Sequence, residues 1–118
     1  MNNFEISPSA QQQQPASDEN LTSLNVDLHN VKKAALVLRA INHKLRQQIL
    51  KLIQEHGKMT VTEIYVKLRL EQSVASQHLA ILRKAGFVKT ERDGKFIYYS
   101  VNNERLEELN KFVGELVG

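Results

Sequence analysis

Between Gln72 and Lys84 the chain sets small hydrogen-bonding side chains beside cations and includes no carboxylate. Wound at 3.6 residues per turn, the stretch turns Val74, Leu79, Ile81 and Leu82 inward. Gln72, Ser73, Ser76, Gln77, Arg83 and Lys84 turn outward, with His78 beside them. Glutamine and serine offer paired donors and acceptors to base edges, short side chains let a helix approach closely, and Arg83 and Lys84 suit phosphates. The face therefore fits the major groove of double-stranded DNA. An ordinary solvated helix would instead lace Glu with Lys at i,i+4 spacing. Catalysis is not in reach of the same residues. Ser73, Ser76 and His78 make no triad, because neighbours two apart on a helix diverge and no carboxylate orients the imidazole. No glycine-rich phosphate loop occurs either, so no enzyme is expected.

The rest of the composition narrows the chemistry further. There is no cysteine, which excludes disulfides, zinc–thiolate sites and thiol redox sensing. Asp27 and His29 are i,i+2 and point apart on a helix, while His43 and His56 bracket a helix too long for both to reach one ion, so neither metal nor cofactor is expected. Glu5, Asp18, Glu19 and Asp27 precede residue 31 and no Lys or Arg does, so all 16 basic residues fall in the remainder. A basic globular part favours a polyanion and predicts affinity that falls steeply with salt. No apolar run approaches the roughly 18 residues of a membrane span, and the first residues lack a signal peptide's basic and apolar regions. The expected location is the cytoplasm, away from membranes.

The elements that must position the polar face can be read in order. Residues 1–19, with Gln11 to Gln14, Pro8 and Pro15, have few apolar side chains and are expected to form a flexible tail. Residues 20–118 are expected to form one domain. A first helix is predicted from about Leu21 to Asn42, and a second from about Lys44 to Glu55, with Gly57 closing it. Thr60-Val61-Thr62-Glu63 fits a capping box, and Met59 with Ile64 fits a hydrophobic staple at the start of a third helix. Arg69-Leu70-Glu71 is then a tight turn into the fourth, making a helix-turn-helix. Gly86 is expected to end that helix. Val88 to Arg92 and Lys95 to Val101 alternate around Asp93-Gly94, which predicts a hairpin with a type I′ turn. One of Tyr98 and Tyr99 should face the core. After Asn102 and Asn103 as caps, a last helix carries Leu106, Leu109, Phe112, Val113, Leu116 and Val117, more apolar surface than its own core needs. The expected fold is mainly α with a small β-hairpin, five helices in the order α-α-α-α-β-β-α.

Gln72-Ser73-Val74-Ala75-Ser76-Gln77-His78-Leu79, followed by Leu82-Arg83-Lys84-Ala85-Gly86-Phe87-Val88, resembles the recognition helix of the ArsR (arsenical-resistance repressor) family of winged helix-turn-helix regulators. Arg92-Asp93-Gly94-Lys95-Phe96-Ile97-Tyr98-Tyr99 is similar to that family's wing, and the likeness spans roughly residues 38 to 102. Arg46 falls on the arginine of the family's Asp-Pro-Thr-Arg turn, with His43 and Lys44 in place of Asp and Pro. Without that proline a smoother junction of the first two helices is expected. Glu71 stands where the family commonly has a Ser cap.

The resemblance implies a dimeric repressor that blocks polymerase access. Gln72, Ser73, Ser76, Gln77 and His78 would meet bases and nearby phosphates, and Arg83, Lys84, Lys89, Arg92 and Lys95 would neutralise the backbone. It also implies a homodimer through Leu24, Leu28 and Val31 of the first helix and Leu106, Leu109, Phe112, Val113 and Leu116 of the last. Two recognition helices would then lie about 34 Å apart on a pseudo-palindromic operator. At the family's metal-ligand positions on the third helix stand Tyr65 and Lys67, and the last helix has Glu104, Glu107, Glu108 and Glu115 but no His, so no metal sensor is implied. A small-molecule or protein effector is left open. The alternative class is a winged-helix module that binds protein, since fold does not fix function.

Overall fold

The computed structural model describes residues 23–118; the tail expected over residues 1–19 lies outside them. The chain divides into two units, Met1–Lys33 and Ala34–Gly118. In the first, helix α1 (Leu28–Ile41, continuing into the second unit) begins later than the periodicity predicts. Asp27 accounts for the difference: its carboxylate accepts from the Asn30 amide at 3.1 Å and from Asn30 Nδ2 at 2.9 Å, capping the helix there. Asn25, with φ 58, already lies outside helical geometry.

In the second unit α2 (Lys44–His56), α3 (Val61–Leu68), α4 (Gln72–Lys84) and α5 (Asn103–Val117) surround a small sheet. The sheet holds β1 (Met59–Thr60), β2 (Val88–Asp93) and β3 (Phe96–Val101) in the order β1-β3-β2. The pair Met59↔Tyr99 and Thr60↔Tyr98 adds a third strand to the expected hairpin. Two residues are too few to show an alternating pattern, so nothing in the sequence signals that strand. The core is Ile49, Leu50, Ile53, Met59, Ile64, Leu79, Leu82, Phe87, Val88 and Val101, with Ala40 at its edge. Each fully buried large side chain contributes about 1.5–3 kcal/mol.

Local geometry follows the sequence closely where capping residues are strong. Thr60 Oγ1 accepts from the Glu63 amide at 3.2 Å while Glu63 accepts from the Thr60 amide at 2.8 Å, the reciprocal box expected for α3. Arg69 ends α3 in the left-handed region, with Leu70 N–H donating to the Tyr65 carbonyl and Arg69 N–H to that of Val66. Gly57 closes α2 at φ 83.

Two expectations need correcting. The helices α1 and α2 do not join smoothly. His43 is extended at φ −154 and caps α2, its Nδ1 accepting from the Arg46 amide at 3.4 Å, so an imidazole supplies the stop that the missing proline would have made. The hairpin loop is Gly94-Lys95, because Asp93 pairs with Phe96 and the strands run to those residues. Gly94 has φ 66 and Lys95 is not among the positive-φ residues, which is the pattern of a type II′ turn with glycine in first place, not type I′.

Candidate nucleic-acid interface

Helix α4 buries Ala75, Leu79 and Leu82, an i, i+4, i+7 stripe. Ala75 takes the inward place expected of Ile81, which lies one residue's rotation from Leu82 and is 41% exposed; Val74 is half-buried. The opposite side is continuous and open. Gln72, Ser73, Ser76, Gln77, Arg83 and Lys84 are all exposed, and Ala80 joins them, so a line of small side chains runs down the free face. Ala80, at i+4 from Ser76, is a sign of close backbone approach that hydrophobic periodicity alone passes over.

The two ends of this helix are secured unequally. At the C-terminal end, Phe87 N–H donates to the Leu82 carbonyl at 2.9 Å and Gly86 N–H to that of Arg83 at 3.0 Å, with Gly86 at φ 88. Leu82 and Phe87 are both fully buried, completing the glycine-capped motif. The start of α5 reinforces it. Arg105 Nε donates to the Ala85 carbonyl at 3.1 Å, Asn102 Nδ2 to that of Gly86 at 3.0 Å, and Asn102 N–H to that of Phe87 at 2.8 Å. Asn102 also caps α5 as expected, its Oδ1 accepting from the Arg105 amide at 3.3 Å. At the N-terminal end Glu71 occupies the cap position and its side chain makes no cap hydrogen bond.

Midway along the helix sits a contact that sequence reasoning missed. Arg46 is buried, at 7% exposure. Its Nε donates to the Ala40 carbonyl at 2.6 Å, Nη2 to the Arg39 carbonyl at 3.0 Å, and Nη1 lies 3.2 Å from His78 Nδ1. Together with Asn42 N–H on the Leu38 carbonyl and His43 N–H on that of Ile41, these bonds satisfy the last carbonyls of α1, and the guanidinium charge suits that end of the helix dipole. The readable signal was that Arg46 continues the apolar stripe Ile49, Leu50, Ile53 of α2, so a cation had to be buried with partners.

His78 is half-buried, and the His43 ring stands 4.9 Å from it. Burial first, then the charge of His43 and of Arg46, push the His78 imidazole below its ordinary value of 6.5, so at neutral pH it is uncharged. Among the described residues, the groups acting on it are these two, from α2 and its cap.

The hairpin presents Lys89, Arg92 and Lys95 to solvent but does not gather them. Lys89 pairs with Ser100 and Arg92 with Ile97, which places them on opposite faces of the sheet, and Lys95 is in the turn. Tyr99 packs on the core. Tyr98, on the other face, carries Lys58 Nζ at 4.7 Å from its ring centroid and Phe96 at 6.3 Å.

Of the apolar residues expected to make a subunit contact, Leu106 and Leu109 pack against the chain's own core, Val113 is half-buried, and Phe112 and Leu116 are exposed. In the first unit Leu24 and Val31 are exposed and Leu28 half-buried. A groove of about 240 Å³ runs along Ala34, Val37, Leu38, Leu109 and Phe112, with Arg105 and Glu108 also in its wall. Among the described residues no helix is long and apolar enough to cross a membrane, and no group of three or more His, Asp or Glu is placed to hold a metal ion.

The family model for the bacterial regulatory protein, arsR family, matches residues 43–90. An HTH-type transcriptional regulator of Methanocaldococcus jannaschii is 38% identical over 89 residues, 75% of this chain and 100% of that protein. The transcriptional repressor PagR of Bacillus anthracis is 32% identical over 91 residues, covering 77% and 91%. Its crystal structure matches with a TM-score of 0.59 at 33% identity over 74% of this chain and 99% of that one. The transcriptional activator HlyU of Vibrio cholerae is 31% identical over 87 residues, 74% and 80%.

Proposed function

This chain belongs to the ArsR family of DNA-binding transcription regulators, and from that premise we propose that it is a homodimeric, sequence-specific repressor without a cysteine-based metal sensor. The observation that carries the proposal is the free face of α4: exposed amides, hydroxyls and cations, no carboxylate, on a helix fixed by part-buried polar bonds. Gln72, Ser73, Ser76, Gln77 and His78 read bases and adjacent phosphates, while Arg83, Lys84, Lys89, Arg92 and Lys95 neutralise the backbone. With Lys89 and Arg92 on opposite sheet faces and Lys95 in the turn, all three reach phosphates if the hairpin enters a groove tip first, one face toward each wall.

Dimerisation covers the exposed apolar residues Phe112 and Leu116 of α5 and Leu24 and Val31 of the first unit, and the groove at Val37, Leu38 and Leu109 extends the apolar surface of α5. Burying such groups is the main drive for a permanent pair. Repression is the direction we assign, the one named for PagR. Footprinting across the genome, followed by a promoter assay, decides it against the activation named for HlyU.

The test of the surface is a pair of variants titrated against a footprinted duplex and a random one. Gln77→Ala is expected to erode discrimination by about 1–3 kcal/mol with little effect on random DNA. Lys95→Ala should weaken both alike and reduce the salt slope by about one. Equal effects from the two variants would count against the division of roles. A protein that shifts no promoter DNA at low salt, yet captures a protein partner, would favour the interaction module instead.

A further inference from the structure

We propose that Arg46 is a positioning residue of the DNA-binding face: it holds His78 in a single orientation with Nδ1 as acceptor, so that Nε2–H is the group offered to DNA. The chemistry leaves one assignment. Arginine has five N–H donors and no acceptor, so the 3.2 Å approach of Nη1 to His78 Nδ1 is a hydrogen bond only if Nδ1 carries no proton. The ring proton is then on Nε2. Arg46 is itself immobilised, because Nε and Nη2 are engaged by the Ala40 and Arg39 carbonyls and the side chain is buried. His43 at 4.9 Å closes another side of the imidazole. His78 therefore meets DNA as a neutral donor that calls for an acceptor, either a phosphate oxygen or the acceptor edge of a purine or thymine. The last turn of α1 is thereby linked to the middle of the recognition helix through one guanidinium.

This deepens the DNA-binding reading and rests on it, so its test has one arm without DNA. Nitrogen-15 spectra of the imidazoles near neutral pH, with the His78 signal assigned by its loss in His78→Asn, should show the Nε2–H tautomer. In Arg46→Lys, which keeps the charge but has one donor head for three acceptors, that signal should shift toward a tautomer mixture. In the DNA arm, His78→Asn keeps an acceptor near the place of Nδ1 and has nothing at Nε2. It should melt as the wild type does while binding roughly five- to tenfold more weakly. Equal losses on footprinted and random duplexes assign the acceptor to phosphate, and a loss confined to the footprinted duplex assigns it to a base.

The double variant should bind no more weakly than the weaker single one, since both remove one contact. An Nδ1–H tautomer in the wild type overturns the proposal, as does full affinity in His78→Asn. Wild-type protein that shifts no duplex overturns the DNA reading and the donor role together, while the spectra still judge the Arg46 contact by itself. His78→Asn leaves Arg46 and its carbonyl bonds in place, so the test survives if Arg46→Lys does not fold.

Discussion

The two ends of helix α4 obey opposite rules. At its C-terminus backbone, glycine, buried phenylalanine and the side chains of Arg105 in α5 and of its cap Asn102 converge on one turn. At its N-terminus a glutamate stands in the cap position with its carbonyl accepting from the Val74 and Ala75 amides and its side chain making no cap hydrogen bond. The first turn, which carries Gln72 and Ser73, is therefore held by fewer bonds than the far end, which fixes where the helix points. A reading head needs both properties, since side chains must adapt to base edges while the rod that carries them keeps its register. Anions are the natural complement of a helix start without a side-chain cap, which suits the proposed placing of DNA phosphate there.

The comparison breaks most visibly at Gly86. Its φ of 88 belongs to glycine, and a Cβ there would lie 3.2 Å from Arg105 Nε, the group bonded to the Ala85 carbonyl. Gly86→Ala is expected to lower the unfolding free energy by about 1–2 kcal/mol from backbone strain alone. Its melting midpoint should fall by several degrees. Displacement of Arg105 adds to that, and DNA affinity should drop with it because the helix loses its fixed end. Calorimetry with a parallel DNA titration checks both; an unchanged midpoint would mean the C-terminal clamp contributes little.

The opposite end should respond in the opposite sense. Glu71→Ser supplies a hydroxyl that can accept from an amide of the first turn, Ser73 or Val74, the latter then sharing its bond to the residue-71 carbonyl. It also removes a negative charge from the end of the proposed DNA-binding face. Stability is expected to rise by about 1 kcal/mol and DNA binding to tighten, with a steeper salt dependence than the wild type. A stabilised variant that binds DNA more weakly would show instead that the loose first turn is itself needed for fit.

What could be read in advance divides along the same physical line. Strong local chemistry was legible: the Thr60–Glu63 box, Gly86 and Asn102 each act through a backbone amide or carbonyl within a few residues, and each is found as expected. The polar face of α4 was legible too, because helical periodicity assigns faces without reference to any neighbour. Contacts between distant residues were not. Met59-Thr60 becomes a strand only because β3 passes beside it, and Arg46 meets His78 across 32 positions of sequence. The hairpin turn was misplaced by one residue because Asp-Gly and Gly-Lys are both sound two-residue loops. The strand register that selects between them is set by Tyr99 and Val101 facing inward. The exposed polar face could therefore be assigned from residue order alone, whereas the groups that hold the helix come from elsewhere in the chain.

The smallest expected effect tests the middle of the helix, where neither end dominates. Burial, His43 and Arg46 all disfavour the His78 imidazolium, so its folded value lies below 6.5 while the unfolded chain takes up the proton near 6.5. As pH falls below that point the unfolded state binds protons first and the folded state is progressively disfavoured. The contribution is thus fully present above 6.5 and is lost as pH drops through the folded value. Melting curves taken between about pH 7.5 and about pH 5 should show the wild type losing more stability than His78→Asn, which differs from it only in lacking that imidazole. A wild-type curve parallel to that of the variant would mean that His78 is not held against the Arg46 charge, and the helix would then be anchored at its C-terminal end alone.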